Sequence, residues 1–502
     1  MNIKMMRYVL GRLLLVEAAL MALPLSVMLI YGELAQLHAM LIPMAILALL
    51  GVPAISFKPK EQALRATDGF VTVGLSWILL SLFGALPYVL SGLIPNYIDA
   101  LFETISGFTT TGSSVLFSED FAKLWSPESS LVGMRGIFFW RSFTNWIGGM
   151  GVLVFVLAVM PKQDMKSSRL VHVMRAEMPG PKVDKIVSTV KKTSAIMYGI
   201  YAVMTLIQVV LLLFGGMDLY ESLCTSFATA GTGGFSIWAD SMASYGGVAA
   251  PEYCTWVISI FMFLFAVNFN VYFLILTGKI ASAIFSEELI WFVGIVLTST
   301  AFITYNIYSK GYFSTIGDSI RHAFFQVSTI ISTTGFATTD YDLWPYASKS
   351  ILLILMFIGA CAGSTGGGMK ISRLVIALKS AVSEIRHMGR PRQVEKIRFE
   401  KKPVDSDTVR GVLAFIVAYI FLFFGSFLAI TLIDGTSIET TFSAVAACIN
   451  NIGPGFEEVG PTANFAFYSA FSKIILSLDM LLGRLEIFPI IMLFSPSVWR
   501  EK

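Results

Sequence analysis

Between Glu33 and Lys58 the chain has no Asp, Glu, Lys or Arg, and none lies between Asp68 and Asp99. Crossing the hydrocarbon core of a bilayer takes roughly 20 apolar residues, so each interval can hold one membrane helix. Five more charge-free runs lie at Thr193–Met217, Thr255–Gly278, Leu289–Ser309, Ile351–Met369 and Gly411–Ile433. Three long apolar segments carry isolated charges: Val9–Tyr31, Val132–Met160 and Ala466–Phe494. The run lengths thus predict ten spans. Val9–Tyr31 reads as a retained helix rather than a signal peptide, because it is long, contains Glu17 and lacks a small-x-small cleavage site.

Composition agrees. Only 14 % of the 502 residues are charged and 55 % are hydrophobic, against roughly 25 % charged in soluble proteins. A formal net charge of +3 carries neither the basic excess of a nucleic-acid binder nor the acidic excess of a disordered chain. The expected surroundings are membrane lipid, with no nucleic-acid partner. Cys224, Cys254, Cys361 and Cys448 have no paired spacing, and His38, His172, His322 and His387 are scattered. Neither a disulfide framework nor a metal cluster is expected.

Orientation follows from the basic loops. Lys58, Lys60 and Arg65 form one, residues 162–192 hold eight Lys or Arg from Lys162 to Lys192, and residues 370–402 hold ten from Lys370 to Lys402. The positive-inside rule puts all three in the cytoplasm, together with Lys4, Arg7 and Arg12. The intervening connections lean acidic, with Glu119, Asp120, Glu128, Asp240, Glu252, Asp340, Asp342, Glu457 and Glu458. An even number of crossings between basic loops leaves both termini inside.

Four stretches between paired spans end alike: Gly107-Phe-Thr-Thr-Thr-Gly112, Ser226-Phe-Ala-Thr-Ala-Gly231, Ile330-Ile-Ser-Thr-Thr-Gly335 and Cys448-Ile-Asn-Asn-Ile-Gly453. Each follows a segment too short to cross a membrane: Ala100–Phe108, Leu219–Phe227, Gly317–Ile331 and Ser437–Ile449. The pattern is span, half-helix, turn, span, four times over. Non-helical backbone at membrane depth survives only when buried in protein or lining a watery cavity. Glycine accepts positive φ, which lets successive carbonyls point one way. Four such turns around an axis would stack rings of carbonyl oxygens able to replace the water of a dehydrated cation. Half-helices ending there add their negative C-terminal ends. The bland alternative is four re-entrant turns that merely pack.

These features, with Trp146-Ile-Gly-Gly-Met-Gly151, Gly363-Ser-Thr-Gly-Gly-Gly-Met-Lys370, Asn450-Asn-Ile-Gly-Pro-Gly455 and Gly483-Arg-Leu-Glu486, resemble the Trk/Ktr/HKT superfamily of potassium transporters, and within it the bacterial TrkH-type branch. The resemblance spans essentially the whole chain. It implies an all-α membrane protein in which four pseudo-symmetric membrane–pore-loop–membrane repeats follow two N-terminal transmembrane helices. The expected boundaries are 1–66 for the N-terminal pair, then 67–192, 193–288, 289–408 and 409–502 for the repeats. It also implies a homodimer in a bacterial inner membrane and a cytoplasmic ring of TrkA-type nucleotide-binding regulatory subunits.

Carried over by position, the K+ filter comprises Thr110, Thr111 and Gly112; Thr229, Ala230 and Gly231; Thr333, Thr334 and Gly335; and Asn451, Ile452 and Gly453. In plant relatives a serine in place of the first glycine accompanies Na+ transport; all four glycines here favour K+. Gly363-x-x-x-x-Gly368 looks like a phosphate loop, but Met369 stands where Lys should follow, and Lys370 comes one place late. Close helix packing through Gly363, Gly366, Gly367 and Gly368 is one alternative; a helix break forming a gate under the filter is what the resemblance implies. Arg484 lies eleven residues beyond Lys473, ~16 Å deeper at 1.5 Å per residue. A mid-membrane arginine costs at least ~2.5–3.5 kcal/mol and turns toward protein or water. Neither Asp479 nor Glu486 sits at a facing spacing on its helix, so its partner is expected elsewhere, and the resemblance suggests a barrier to cations below the filter. Asp479 reads as a structural partner or a proton-coupling group, Arg141 as a tie to Glu103, and Asn268 and Asn270 as cavity-lining or interhelical groups.

No nucleophile–base constellation is present, and a membrane enzyme is disfavoured. One charge crossing 100 mV gains ~2.3 kcal/mol, enough for a roughly 50-fold cation gradient. The expectation is K+ uptake by channel-like permeation driven by the membrane potential, with K+ as transported ion and no covalently bound cofactor. The alternatives are a Na+- or H+-coupled K+ symporter and, from another class, a membrane receptor or scaffold.

Overall fold

The computed structural model describes residues 2–56, 59, 65–125, 133–151, 190–243, 245–390, 396–496 and 499. Among them, six helices are long and apolar enough to cross a membrane: Ile3–Tyr31, Leu34–Ser56, Thr67–Leu90, Ser194–Phe214, Glu287–Ser309 and Ser406–Asp434. They coincide with six of the ten predicted spans. The Thr255–Gly278 span is instead a pair, Pro251–Ala266 and Phe269–Leu276, bent by 91°. The Ile351–Met369 span is corrected as well: its helix stops at Ile358, and an irregular loop runs to Lys370. Ala466–Phe494 splits into Ala470–Arg484 and Phe488–Phe494. In the remaining span the helix Arg135–Gly149 is described, while residues 152–160 lie outside the described residues. Lys58, Lys60, Glu128 and most of the 162–192 basic loop also lie outside them.

Two of these breaks have a visible cause. Gly359, which follows the helix ending at Ile358, adopts positive φ and so ends it without strain. At Val267 no glycine intervenes. There the Phe269 amide leaves its helix and donates to the Gly363 carbonyl at 3.0 Å, while the Asn268 side chain caps Asn270 at 2.9 Å.

Four short helices stand between the long ones: Tyr97–Phe108, Leu219–Gly231, Ile316–Ile331 and Ile438–Ile449. Each begins with a side-chain cap, from Asn96, Asp218, Thr315 and Ser437 respectively. Leu219–Gly231 packs on Arg135–Gly149, Ile316–Ile331 on Pro251–Ala266, and Ile438–Ile449 on Tyr346–Ile358. Tyr97–Phe108 packs on Ala470–Arg484, the last of the series, so the chain of contacts closes into a circle. The helix faces turned outward keep large apolar side chains exposed, among them Leu206, Phe214, Leu297, Phe421 and Leu432. Such a surface suits lipid and not water.

The acids at the short helices are held differently in each. Glu103 and Arg141, both buried, form an ion pair at 2.7 Å, and Arg141 also donates to the Ser236 carbonyl at 2.8 Å. Glu221 completes a capping box with Asp218, and Glu439 meets Lys349 at 3.1 Å. In the third helix Arg321 pairs with Asp318 at 2.7 Å and Glu252 at 3.0 Å, and His322 bonds Thr338 at 2.8 Å.

A ring of four glycine turns above a buried loop

All four short helices end in one hydrogen-bonded form. The amides of Thr111, Gly233, Thr334 and Ile452 each reach back five residues, to the carbonyls of Ser106, Ala228, Thr329 and Ala447, at 2.8–2.9 Å. The residue before each of them, Thr110, Thr232, Thr333 or Asn451, takes a left-handed φ of 54–61°. The residue after each, Gly112, Gly234, Gly335 or Gly453, also has positive φ, from 65° to 104°. This alignment corrects the second turn. Thr229, Ala230 and Gly231 are the last residues of the helix Leu219–Gly231, and the turn itself is Thr232-Gly233-Gly234. The sequence Thr-Ala-Gly-Thr-Gly-Gly contains the phrase twice, three residues apart. The later one forms the turn, since it is there that the amide of Gly233 reaches back to Ala228 and that Thr232 and Gly234 take positive φ; Gly231 instead packs against the Asn145 carbonyl, where any side chain would collide.

The turns touch one another in order. A Cβ added to Gly112 would collide with the Gly233 carbonyl oxygen, one on Gly234 with that of Thr334, and one on Gly335 with that of Ile452. A Cβ on Gly453 would stand 2.8 Å from the Thr111 oxygen, which closes the circle. Four equivalent carbonyls, of Thr111, Gly233, Thr334 and Ile452, therefore occupy one level, each against the glycine of the preceding turn. Side chains brace the arrangement: Ser113 donates to the Gly453 carbonyl at 2.9 Å, and Asn451 to the Thr111 hydroxyl at 3.0 Å and the Met480 carbonyl at 2.9 Å. The Thr110, Thr111, Thr333, Thr334, Asn451 and Ile452 side chains are all buried.

Beneath this ring runs the loop 359–370. The Gly367 amide donates to the Thr333 hydroxyl at 2.6 Å. Side chains at Gly366 or Gly367 would press on the carbonyls of Ser332 and Asn450, so only bare backbone fits there. Gly368 lies against Gly359 and Gly363 against Asn268. Lys370, buried and with φ 75°, turns its ammonium to the Gly366 carbonyl. Arg484 donates to the Thr365 carbonyl at 2.7 Å, to the Gly149 carbonyl at 2.6 Å and to the Gly148 carbonyl. Its partners come from other parts of the chain, as the spacing predicts. Glu486 pairs with Arg373, and Asp479 accepts from Ser426 at 2.8 Å. The loop, Arg484, Lys370, Asn268 and Asn270 line one cavity of about 840 Å³.

Residues 38–501 match the family model described as TrkH, cation transport protein. The chain is 32 % identical to the Trk system potassium uptake protein TrkH of Halomonas elongata and 33 % identical to that of Escherichia coli K12, with all of each chain covered. It is 32 % identical to TrkG of E. coli K12 over 100 % of this chain and 99 % of that one. Among solved structures, the potassium transporter TrkH from Vibrio parahaemolyticus superposes with a TM-score of 0.85 at 28 % identity, covering both chains completely. This chain is a multi-pass membrane protein belonging to the TrkH family of cation transport proteins.

Proposed function

We propose that the protein takes up K+ across a bacterial inner membrane, with permeation through the ring of glycine turns driven by the membrane potential. One observation carries the reading: four equivalent carbonyls from four turns of one chain stand at a single level, each seated on the preceding turn's glycine. Carbonyl oxygens in such rings replace a cation's hydration shell, and the negative ends of four short helices converge on the same place. The names of the relatives agree, each being a potassium uptake protein. The filter is then Thr110–Gly112, Thr232–Gly234, Thr333–Gly335 and Asn451–Gly453, within a four-repeat pore.

The loop 359–370 acts as gate. Its carbonyls are held from below by two cations, Lys370 and Arg484, and positive charge beneath a filter repels the permeant ion. Both termini face the cytoplasm, the protein works as a homodimer, and a cytoplasmic nucleotide-binding ring of TrkA type moves the loop. A coupled version, with H+ entering alongside K+, is favoured by one feature: the buried Asp479 has a carboxylate oxygen with no hydrogen-bond partner among the described residues. Rb+ uptake into proteoliposomes under an imposed potential tests the proposal. Uptake that follows the potential at constant pH supports simple permeation; uptake that needs a pH gradient supports coupling; its absence, with the partner ring supplied, rejects transport.

A further inference from the structure

A short surface hairpin is tied to the glycine loop through the first turn of one long helix. The hairpin pairs Arg398–Phe399 with Lys402–Pro403 around a two-residue turn. Both turn residues, Glu400 and Lys401, are left-handed, with φ of 53° and 62°. Such a turn prefers Asn-Gly, so a Glu-Lys pair is held there against its own backbone preference. What holds it is visible. The Glu400 carboxylate accepts from the Ser286 hydroxyl at 2.8 Å and from the Glu288 amide at 3.1 Å, at the N-terminus of the helix Glu287–Ser309. Helix N-termini leave amides unpaired and favour negative charge, and Glu400 meets both needs. The Glu400 amide in turn donates to Glu287 at 3.2 Å. Lys379 clamps the same corner, pairing with Glu287 and donating to the Arg398 carbonyl at 2.8 Å. Phe399 packs into the apolar cluster behind it.

The next link is Glu288. Its carboxylate is buried, and it accepts from the Ala362 amide at 2.8 Å and from the Asn268 side chain at 3.4 Å. Ala362 belongs to the glycine loop, and Asn268 stands at the 91° bend whose neighbour Phe269 bonds Gly363. Hairpin, helix start and loop border the same cavity. One turn of helix is therefore gripped on one side by Glu400 and grips the loop on the other through Glu288.

We propose that Glu400 and Glu288 are positioning residues for the glycine loop: the hairpin carboxylate fixes the start of the helix 287–309, and Glu288 thereby holds the loop in its closed place. This rests on the reading of that loop as the gate. Displacing the hairpin frees the helix start, slackens the Glu288–Ala362 bond and lets the loop leave the underside of the ring.

Cys361, buried in the loop beside Ala362, is a native reporter. The full-length chain in detergent is labelled with N-ethylmaleimide, and labelling is resolved by peptide for Cys361, Cys224 and Cys448. In parallel, Rb+ uptake into proteoliposomes is measured without the regulatory ring. Glu400→Ala is expected to speed Cys361 labelling and raise ring-independent uptake about fivefold or more, the lower end of ordinary coupling between sites. Glu400→Gln keeps the oxygen that accepts both bonds and stays with the wild type in both assays. Unchanged Cys361 labelling in Glu400→Ala overturns the proposal whatever the flux. Equal acceleration at Cys224 and Cys448 overturns it too, because the chain has then loosened as a whole. Faster labelling confined to Cys361, with no uptake in any variant or in the wild type, supports the link and rejects the transport reading instead.

Discussion

Arg484 donates to the Thr365 carbonyl oxygen at 2.7 Å, joining the end of the helix Ala470–Arg484 to the loop beneath the ring. The same guanidinium reaches the Gly149 carbonyl at 2.6 Å, so three distant segments meet on one side chain. A hydrogen bond from a charged group is worth about 1.5–3 kcal/mol, and 1.36 kcal/mol is tenfold. Arg484→Ala is therefore expected to raise K+ flux about tenfold or more at fixed voltage. Unchanged Rb+ uptake, with regulation by the partner ring also intact, would count against the barrier.

Lys370 holds the adjoining carbonyl, that of Gly366. Residues that share one element couple. The double substitution Lys370→Ala/Arg484→Ala should raise flux by less than the product of the two single effects, because either alone releases the loop. A four-way comparison of uptake rates checks this, and strict multiplicativity would mean that the two cations act on separate elements.

The second turn supplies a sharp test of register. Gly234 has φ 65° and lies against the Thr334 carbonyl. An L-residue in that conformation costs roughly 1–2 kcal/mol, and its Cβ would push the carbonyl out of the ring. Gly234→Ala should lower the K+/Na+ permeability ratio, whereas Ala230→Gly, inside the preceding helix, should leave it unchanged. Bi-ionic reversal potentials distinguish the two, and the opposite ranking would restore the earlier register.

Glu103 and Arg141 form a buried pair that fastens the first short helix. Removing one partner of such a pair leaves an uncompensated charge and costs about 3–5 kcal/mol. Glu103→Ala should unfold at markedly lower temperature in detergent than the wild type, with Glu103→Gln intermediate, as a thermal melt followed by tryptophan fluorescence would report.

Long charge-free runs made five of the six spans legible, and a long apolar run with isolated charges the sixth, although two further charge-free runs proved to be broken. The Arg141–Glu103 tie was legible too, since a lone arginine in an apolar segment needs an acid. Three of the four turns stand where Thr-x-Gly or Asn-x-Gly places them, after helices that end in one bonding pattern. The second differs because its sequence offers the phrase twice, and the choice shows only in the folded chain, where Gly234 seats the Thr334 carbonyl and Gly231 packs on that of Asn145. The bend at Asn268 carries no glycine or proline; it depends on a bond from Phe269 to Gly363, almost a hundred residues away. The grip of Glu400 on the helix start is of the same kind, a tertiary contact with no local signature.

The most direct measurement is the reversal potential of reconstituted protein between a K+ solution on one side and a Na+ solution on the other, at equal pH. A filter built from the carbonyls of Thr111, Gly233, Thr334 and Ile452 predicts a potential near the K+ equilibrium value that collapses toward zero in Gly335→Ala. A wild-type potential that follows Na+, or one indifferent to Gly335→Ala, would contradict the account.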